Sequence, residues 1–385
     1  MGIQEDSLKL HERLKGKLEV RSKVRLVTKR DFSLAYTPGV AEPCRKIFAN
    51  REDVYKYTIK GNCIAVVSNG TAVLGLGNIG AHAAIPVMEG KAAIFKEMAG
   101  IDAFPICIDS EDVQKNIEII RAIAPVFGGI NLEDYKAPEC FEIEAALQDI
   151  GIPVMHDDQH GTAIVVLAAL INSLKVAGKK TGEVRIVISG AGAAGTAVAK
   201  LLVKYGADGR RMVLCDTKGV IHSGRGDLKE NRFKQELAAM TNGSKFSGSL
   251  ADAMRGADVF IGVSKKGLVS RAMVRSMAPK AIVFAMANPE PEIMPDEARA
   301  AGALVVATGR SDFPNQINNA LAFPGVFRGA LDARATRITE KMKVAAAEAL
   351  AGMVKPSPGA ILPPITERET VKKVSEAVAA AWKRT

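Results

Sequence analysis

Apolar and polar positions follow two different rhythms along the chain, and the change comes near residue 160. Before it the pattern is mixed. Leu8, Leu10, Leu14 and Leu18 recur at helical spacing inside a polar, basic stretch that runs from 8 to 30. "LAYTPGVAEPCRKIF" carries Pro38 and Gly39, the mark of a loop before a helix. "CIAVVSNGTAVLGLG" reads as two apolar strands joined by Asn69-Gly70, a hairpin turn signal. "AFPICID" predicts a strand and "VQKNIEIIRAIAPVF" an amphipathic helix. "GGINLED" predicts a strand ending in acidic residues, "CFEIEAALQDIG" a helix, and "IPVMHDDQHG" a short strand running into a loop.

Beyond 160 the rhythm is regular. A long apolar helix over 162–177 precedes the strands "VRIVIS", "RMVLCD", "ADVFIGVS", "AIVFAMANP" and "ALVVATG", with helical segments such as "TAVAKLLVKYG" and "SRAMVRSMA" between most of them. Apolar strands alternating with helices predict a parallel sheet covered on both faces. Two further helices, split by the Pro-rich "KPSPGAILPP", close the chain. The fold class is therefore α/β. An N-terminal α/β domain over 1–158 precedes a Rossmann-type, doubly wound parallel-sheet domain over 159–385, whose C-terminal helices pack back on the first.

Two G-x-G-x-x-G stretches occur, one at Gly75, Gly77 and Gly80, the other at Gly190, Gly192 and Gly195. A dinucleotide loop needs a helix that starts cleanly at the motif, so that its free N–H groups and dipole face the pyrophosphate. The second copy follows a strand and opens the unbroken "TAVAKLLVKYG". The next strand ends at Asp216, about 20 residues on, where a carboxylate binds ribose hydroxyls. Gly190, Ala191, Gly192, Ala193, Ala194 and Gly195 are thus the cofactor loop. The first copy is followed by Pro86 and Gly90, which predict a broken helix. Its glycines instead let backbones pack closely, or shape a pocket that presents Lys91. Asp216 favours NAD, since a carboxylate repels the 2′-phosphate of NADP, although Lys218 nearby blunts the argument.

Composition narrows the partners. The 385 residues carry a net charge of +10, but the basic residues are dispersed and few aromatics lie among them. That argues against nucleic acid and fits an anionic small substrate with a dinucleotide. The five cysteines form no C-x-x-C pair, which fits a reducing cytoplasm. No signal peptide is visible, and the longest apolar run, "TAIVVLAALINSL", is too short to span a membrane and reads as a buried helix.

Several residues could carry chemistry. Glu133 and Asp134 in "NLEDY", and Asp157 and Asp158 in "HDDQHGT", offer oxygen ligands suited to Mg²⁺ or Mn²⁺; taken singly, such a cluster more often caps a helix or lines a turn. His156 and His160 stand at i, i+4, but no H-E-x-x-H accompanies them. Lys91 lies among small apolar residues, where desolvation would lower its pKa toward that of a base; a surface lysine is the alternative. Tyr36 could donate a proton. Asn288, Asn318 and Asn319 fall at or after strand C-termini, where open α/β sheets bind ligands.

Seven stretches occur in order: "LAYTPGVAEPC", "LGLGNIG…PVMEGKAAIFK", "LEDYKAPECFEIE", "HDDQHGTAIV", "SGAGAAG", "MANPEPEI" and "NNALAFPGVFRGAL". Together they closely resemble the malic enzyme family in its compact prokaryotic-type form, over about residues 15 to 350. The resemblance implies metal-dependent oxidative decarboxylation of L-malate to pyruvate with reduction of NAD or NADP, and decarboxylation of oxaloacetate as well. It implies Tyr36 as general acid and Lys91 as general base. Glu133, Asp134 and Asp158 would hold Mg²⁺ or Mn²⁺, with Asp157 supporting them or Lys91. Gly190 to Gly195 and Asp216 would bind the dinucleotide, and Asn288, Asn318 and Asn319 the substrate and cofactor. A homodimer or larger homo-oligomer is the family habit. Two positions depart from the pattern. Met155 replaces a Phe, a conservative change. Ala72 stands where larger members have an Arg that clamps a substrate carboxylate, so one carboxylate has no assigned partner. The rivals are a malolactic enzyme that releases lactate, a metal-free amino-acid dehydrogenase and a dinucleotide sensor. The acidic clusters argue against the last two.

Overall fold

Strand β1 (Cys63–Ser68) is buried at every position, and the computed structural model shows why. It describes residues 2–73 and 75–384. Four short helices, α1 (Ile3–Leu14), α2 (Lys29–Ala35), α3 (Ala41–Ala49) and α4 (Val54–Tyr57), lead to β1. Then come α5 (Gly80–Ala99), β2 (Asp102–Cys107), α6 (Val113–Ile123), β3 (Gly129–Leu132), α7 (Glu139–Ala146) and β4 (Val154–His156). The four strands form a parallel sheet in the order β2-β1-β3-β4. Ile64 and Val66 face one core, while Cys63, Ala65 and Val67 face another, the period-two alternation of a strand buried on both sides.

The long helix α8 (Asp157–Ala177) leads into the second unit. This comprises β5 (Ile186–Ser189), α9 (Ala193–Tyr205), β6 (Met212–Asp216), β7 (Gly219–Val220), α10 (Arg232–Met240), α11 (Leu250–Met254), β8 (Val259–Gly262), α12 (Arg271–Arg275), β9 (Ile282–Ala285), α13 (Pro295–Ala300) and β10 (Val305–Thr308). The sheet order is β10-β9-β8-β5-β6-β7, parallel except for β7. The order reverses at β5, the switch point where open α/β sheets bind ligands. Helices α14 (Phe323–Asp332), α15 (Glu340–Ala351) and α16 (Glu369–Lys383) end the chain. Phe323 and Phe327 of α14 pack on Phe95 of α5, at ring-centroid distances of 4.7 and 5.5 Å. One apolar core runs from β1 through α8 to β5, so the two sheets share an interior.

Four expectations are corrected. The hairpin at Asn69-Gly70 does not form, because both edges of β1 are taken by the parallel strands β2 and β3. The second strand expected over 71–77 is absent among the described residues, and Leu74 lies outside them. Helix α5 runs unbroken through Pro86 and Gly90. An internal proline costs about 3 kcal/mol, but Met88 and Phe95 are wholly buried on the same helix, worth about 1.5–3 kcal/mol each. The leucine-spaced stretch is helical only to Leu14, where Lys15 and Gly16 turn left-handed and end α1. Finally, α8 begins five residues earlier than the apolar run suggested. By length and composition it could cross a membrane, but its most apolar window is 78% buried inside the protein.

Candidate active site

The C-terminal ends of β3 and β4 lie side by side, because the register pairs Leu132 with His156. The chain leaves both ends through acidic residues. Glu133 and Asp134 follow β3, and Asp157 and Asp158 open α8. Asp134 takes a left-handed turn (φ 55°), and its backbone N–H donates to Asp158 Oδ2 at 2.8 Å. Asn131, buried within β3, donates to Glu133 Oε2 at 2.9 Å. One ligand oxygen from each of Glu133, Asp134 and Asp158 lies within 4.8 Å of the other two. Burial first, and then repulsion from neighbouring carboxylates (Asp157 in the case of Asp158), push all three carboxyls above their usual range. Asp134 Oδ2 is buried without a hydrogen-bond partner. Three converging carboxylates, one with an orphaned oxygen, fit a hard divalent cation. His156 and His160 do not join them. His160 is turned to Glu144 and Lys343; the His156 ring has no hydrogen-bond partner, its Nδ1 lying 3.9 Å from Asp158 Oδ2, and burial lowers its pKa to about 4.

Lys91 projects from the buried face of α5 beneath this cluster. Its Nζ lies 2.7 Å from Asp157 Oδ2, 2.8 Å from Glu133 Oε1 and 4.3 Å from the centre of the Phe323 ring. The lysine is buried as expected, but the expected lowering of its pKa is reversed. Burial pulls it down, yet the carboxylates of Asp157, Glu133 and Asp158 hold it above its ordinary value. Asp157 also accepts from Asn319 Nδ2 at 2.6 Å, and burial raises its carboxyl to about 6 despite Lys91. Gly161, one turn along α8, makes room for it: a Cβ there would sit 1.7 Å from Asp157 Oδ1.

The glycine loop after β5 is a cradle that side chains would fill. A Cβ on Gly195 would meet the Gly190 carbonyl oxygen at 1.8 Å, and one on Gly190 (φ 113°) would meet the Val263 carbonyl oxygen at 2.7 Å. No side chain caps the N-terminus of α9 at Gly192, so its N–H groups are free for a phosphate. A cleft of about 1030 Å³ joins this loop to the acidic cluster. Gly192, Ala193 and Ala194 line one side, and Asp134 and Asp158 another; Asn288, Asn318 and Asn319 also face it. Gly75 and Gly77 of the first glycine motif, with Gly75 against Pro289, complete the wall. That motif serves as wall and as lead-in to the helix carrying Lys91. Asp216 ends β6 as expected, but it already pairs with Arg225 and Lys234.

Tyr36 is not in this cleft. It caps α2 and is 71% exposed. Some residues close to the site escaped the sequence reading. Glu144 of α7 accepts from the His156 backbone N–H and pairs with His160 Nε2 at 2.9 Å, and Lys343 of α15 meets the other ring nitrogen, Nδ1, at 2.9 Å. This buried chain braces the start of α8. Its one sequence signal was a lysine among the alanines of "KVAAAEALA". Buried Glu292 likewise accepts from the backbone N–H groups of Ser264 and Ala287, fixing two cleft loops.

Residues 159–384 match the family profile described as malic enzyme, NAD binding domain, and residues 15–115 match malic enzyme, N-terminal domain. A bifunctional malic/malolactic enzyme of Bacillus subtilis is 54% identical over 385 residues, covering 99% of this chain and 93% of that protein. An NADP-dependent malic enzyme of Halomonas elongata is 53% identical over 350 residues, covering 90% and 82%. The crystal structure of an NAD-dependent malic enzyme from Thermotoga maritima superimposes with a TM-score of 0.94 at 46% identity, covering 97% of this chain and 99% of that one.

Proposed function

Because the chain belongs to the malic enzyme family, it is a malate dehydrogenase of the decarboxylating kind, and we propose that it converts L-malate to pyruvate and CO₂ in the cleft between its two sheets. The observation that carries this assignment is the cluster of Glu133, Asp134 and Asp158, two of which line one cleft with the Gly192 loop, with Lys91 beneath. Mg²⁺ or Mn²⁺ suits the three carboxylates; when bound, it would polarise the substrate's C2 oxygen and neutralise the groups that now hold the Lys91 proton. The dinucleotide, on the loop from Gly190 to Gly195, supplies the hydride acceptor.

The chain's own groups do the rest. Lys91 must first lose its own proton to solvent as the cation takes over Glu133; its neutral amine then receives the C2 hydroxyl proton, and the ammonium so formed pairs again with Asp157, which Asn319 orients. Asn288 and Asn318 face the cleft with amides able to hold a carboxylate, the task left open by Ala72. Loss of CO₂ leaves an enol that needs a proton at C3, and Tyr36 is the acid we assign. Its exposure supports delivery by a second copy. Helices α1 to α4 bury none of their residues, and the same segment exposes Val20, Leu34 and, at 95%, Phe48. Apolar surface on this scale marks an interface between chains. A homodimer would cover it and bring the partner's Tyr36 to the cleft. The five free thiols fit a reducing cytoplasm.

The test is a spectrophotometric assay with L-malate, Mn²⁺ and NAD or NADP, with pyruvate measured alongside. EDTA should abolish turnover and added Mn²⁺ restore it. Activity indifferent to EDTA would sink the metal assignment. The Bacillus subtilis relative's malolactic activity motivates a second reading, in which lactate accumulates instead of pyruvate. Oxaloacetate, the product of the oxidation step, should be decarboxylated by the same site.

A further inference from the structure

Four acidic residues are buried among those described, and three of them, Glu133, Asp134 and Asp157, belong to the cluster around Lys91. The fourth, Glu292, is wholly buried, and among the described residues no lysine, arginine or histidine pairs with it. Its Oε1 accepts from the Ser264 backbone N–H at 3.0 Å and from Ser264 Oγ at 3.4 Å, and its Oε2 accepts from the Ala287 N–H at 3.0 Å. Gly262, the last residue of β8, makes room for it: a Cβ there would sit 2.4 Å from the carboxyl carbon. Burial pushes the carboxyl's pKa up, and the donors at both oxygens oppose that by favouring the charged form.

The two loops that this carboxylate ties together wall one stretch of the cleft: Val263 to Lys266 after β8, and Met286 to Pro289 after β9. A dinucleotide with its phosphates at the N-terminus of α9 must reach malate at Asp134 and Asp158 with its nicotinamide, and these loops border that path. The nicotinamide ring is a cation when oxidised and neutral when reduced. Exposed charges are screened by solvent and salt, buried ones much less. Lys265 and Lys266 on the same wall are exposed, and Lys266 is paired with Glu290, whereas Glu292 is neither screened nor paired. We infer that Glu292 is a specificity-determining residue for the oxidised cofactor: its carboxylate, held without a cation beneath the ends of β8 and β9, favours the cationic nicotinamide that enters over the neutral one that leaves. The inference rests on the dinucleotide lying on the loop from Gly190 to Gly195.

The experiment is titration of the full chain, with Mn²⁺ present and malate absent, by the oxidised and the reduced cofactor. It is run with both NAD and NADP, since the 2′-phosphate is common to the two forms of each pair. The readout is the ratio of dissociation constants, reduced over oxidised. Glu292→Gln keeps the shape and an acceptor for Ser264 but removes the charge. It should lower the ratio by at least about threefold, the scale of one charge acting through a medium between protein and water. Glu292→Asp, shorter but still charged, should hold the ratio near that of the unmodified protein while weakening both forms. Should Glu292→Gln fail to melt cooperatively, Glu292→Met, uncharged and similar in length, takes its place. A carboxylate that serves only as a clamp would change both affinities alike, so an unchanged ratio in the uncharged variant would overturn the inference, as would an equal fall in Glu292→Asp. If neither form binds the unmodified protein, the glycine-loop assignment itself fails and the inference falls with it. If both bind and the ratio does not move, only the inference fails.

Discussion

A shared active site makes a quantitative prediction about mixed dimers. If each site takes Lys91 from one chain and Tyr36 from the other, two damaged chains can complement. Consider a dimer with Lys91→Ala on one chain and Tyr36→Phe on its partner. One site receives both substitutions. The other receives an intact Lys91 and an intact Tyr36. Such a dimer, isolated through two different affinity tags, should show about half the turnover of the unmodified dimer, since a two-fold dimer has two equivalent sites. Each homodimeric variant should be nearly inactive, because a general acid or base contributes about 10²–10⁴-fold; the background is then about 1% or less. Tyr36→Phe should fold normally, as the ring is 71% exposed. Lys91→Ala leaves Asp157 and Glu133 facing each other unpaired, and breaking a buried pair costs about 3–5 kcal/mol. Thermal melting must therefore show that the lysine variant is folded before its activity is read. The assay is pyruvate formation per dimer from L-malate with Mn²⁺. A mixed dimer no more active than either homodimer would refute the argument, because Lys91 and Tyr36 would then serve the same chain.

Two further outcomes follow from groups that orient the site. Asn131→Ala frees Glu133 Oε2 of its orienting donor and should raise the Mn²⁺ concentration for half-maximal activity by about 10–100-fold, the usual cost of losing an outer partner of a metal ligand; an unchanged requirement would detach Asn131 from the metal site. Glu144 is held down to about 2: burial pushes its carboxyl up, but His160 and Lys343 outweigh it. Its folded pKa is thus below the unfolded value of about 4.3, so its contribution to stability is complete above that pH and disappears as pH falls toward 2. The melting-temperature gap between the unmodified protein and Glu144→Gln should narrow across that window; a constant gap would mean that the Glu144 charge contributes no stability.

How much of this was legible beforehand depended on whether a feature is local. The strands of the second sheet are short, mostly apolar and bounded by turns, so each could be located from its own residues, and β5, β6 and β8 to β10 all lie inside the segments expected. The Asp157-Asp158 pair could be found because a strand and a helix meet there. Pro86 misled because its local cost is real, whereas the gain that outweighs it comes from Met88 and Phe95 packing on a sheet and on α14, more than 200 residues away. The brace between Glu144, His160 and Lys343 joins segments 183 residues apart at its longest step, and no periodicity reports such a contact.

Lys91 and Asp216 show the same limit in the chemistry. Each was singled out by its address, one on an apolar helix and one at a strand end, and each stands at that address. What a charged group does there depends on its partners. Two carboxylates turn a lysine expected to be a free base into one that holds its proton, and an arginine and a lysine turn a ribose acceptor into a clamp. Coulomb interactions at 3 Å rival or exceed the effect of burial, so a titration or specificity argument made from one residue's surroundings in sequence can reverse sign once the opposite charge is in place. For this chain both reversals come from charged partners outside the residue's own element, Glu133 and Asp157 for Lys91 and Arg225 and Lys234 for Asp216.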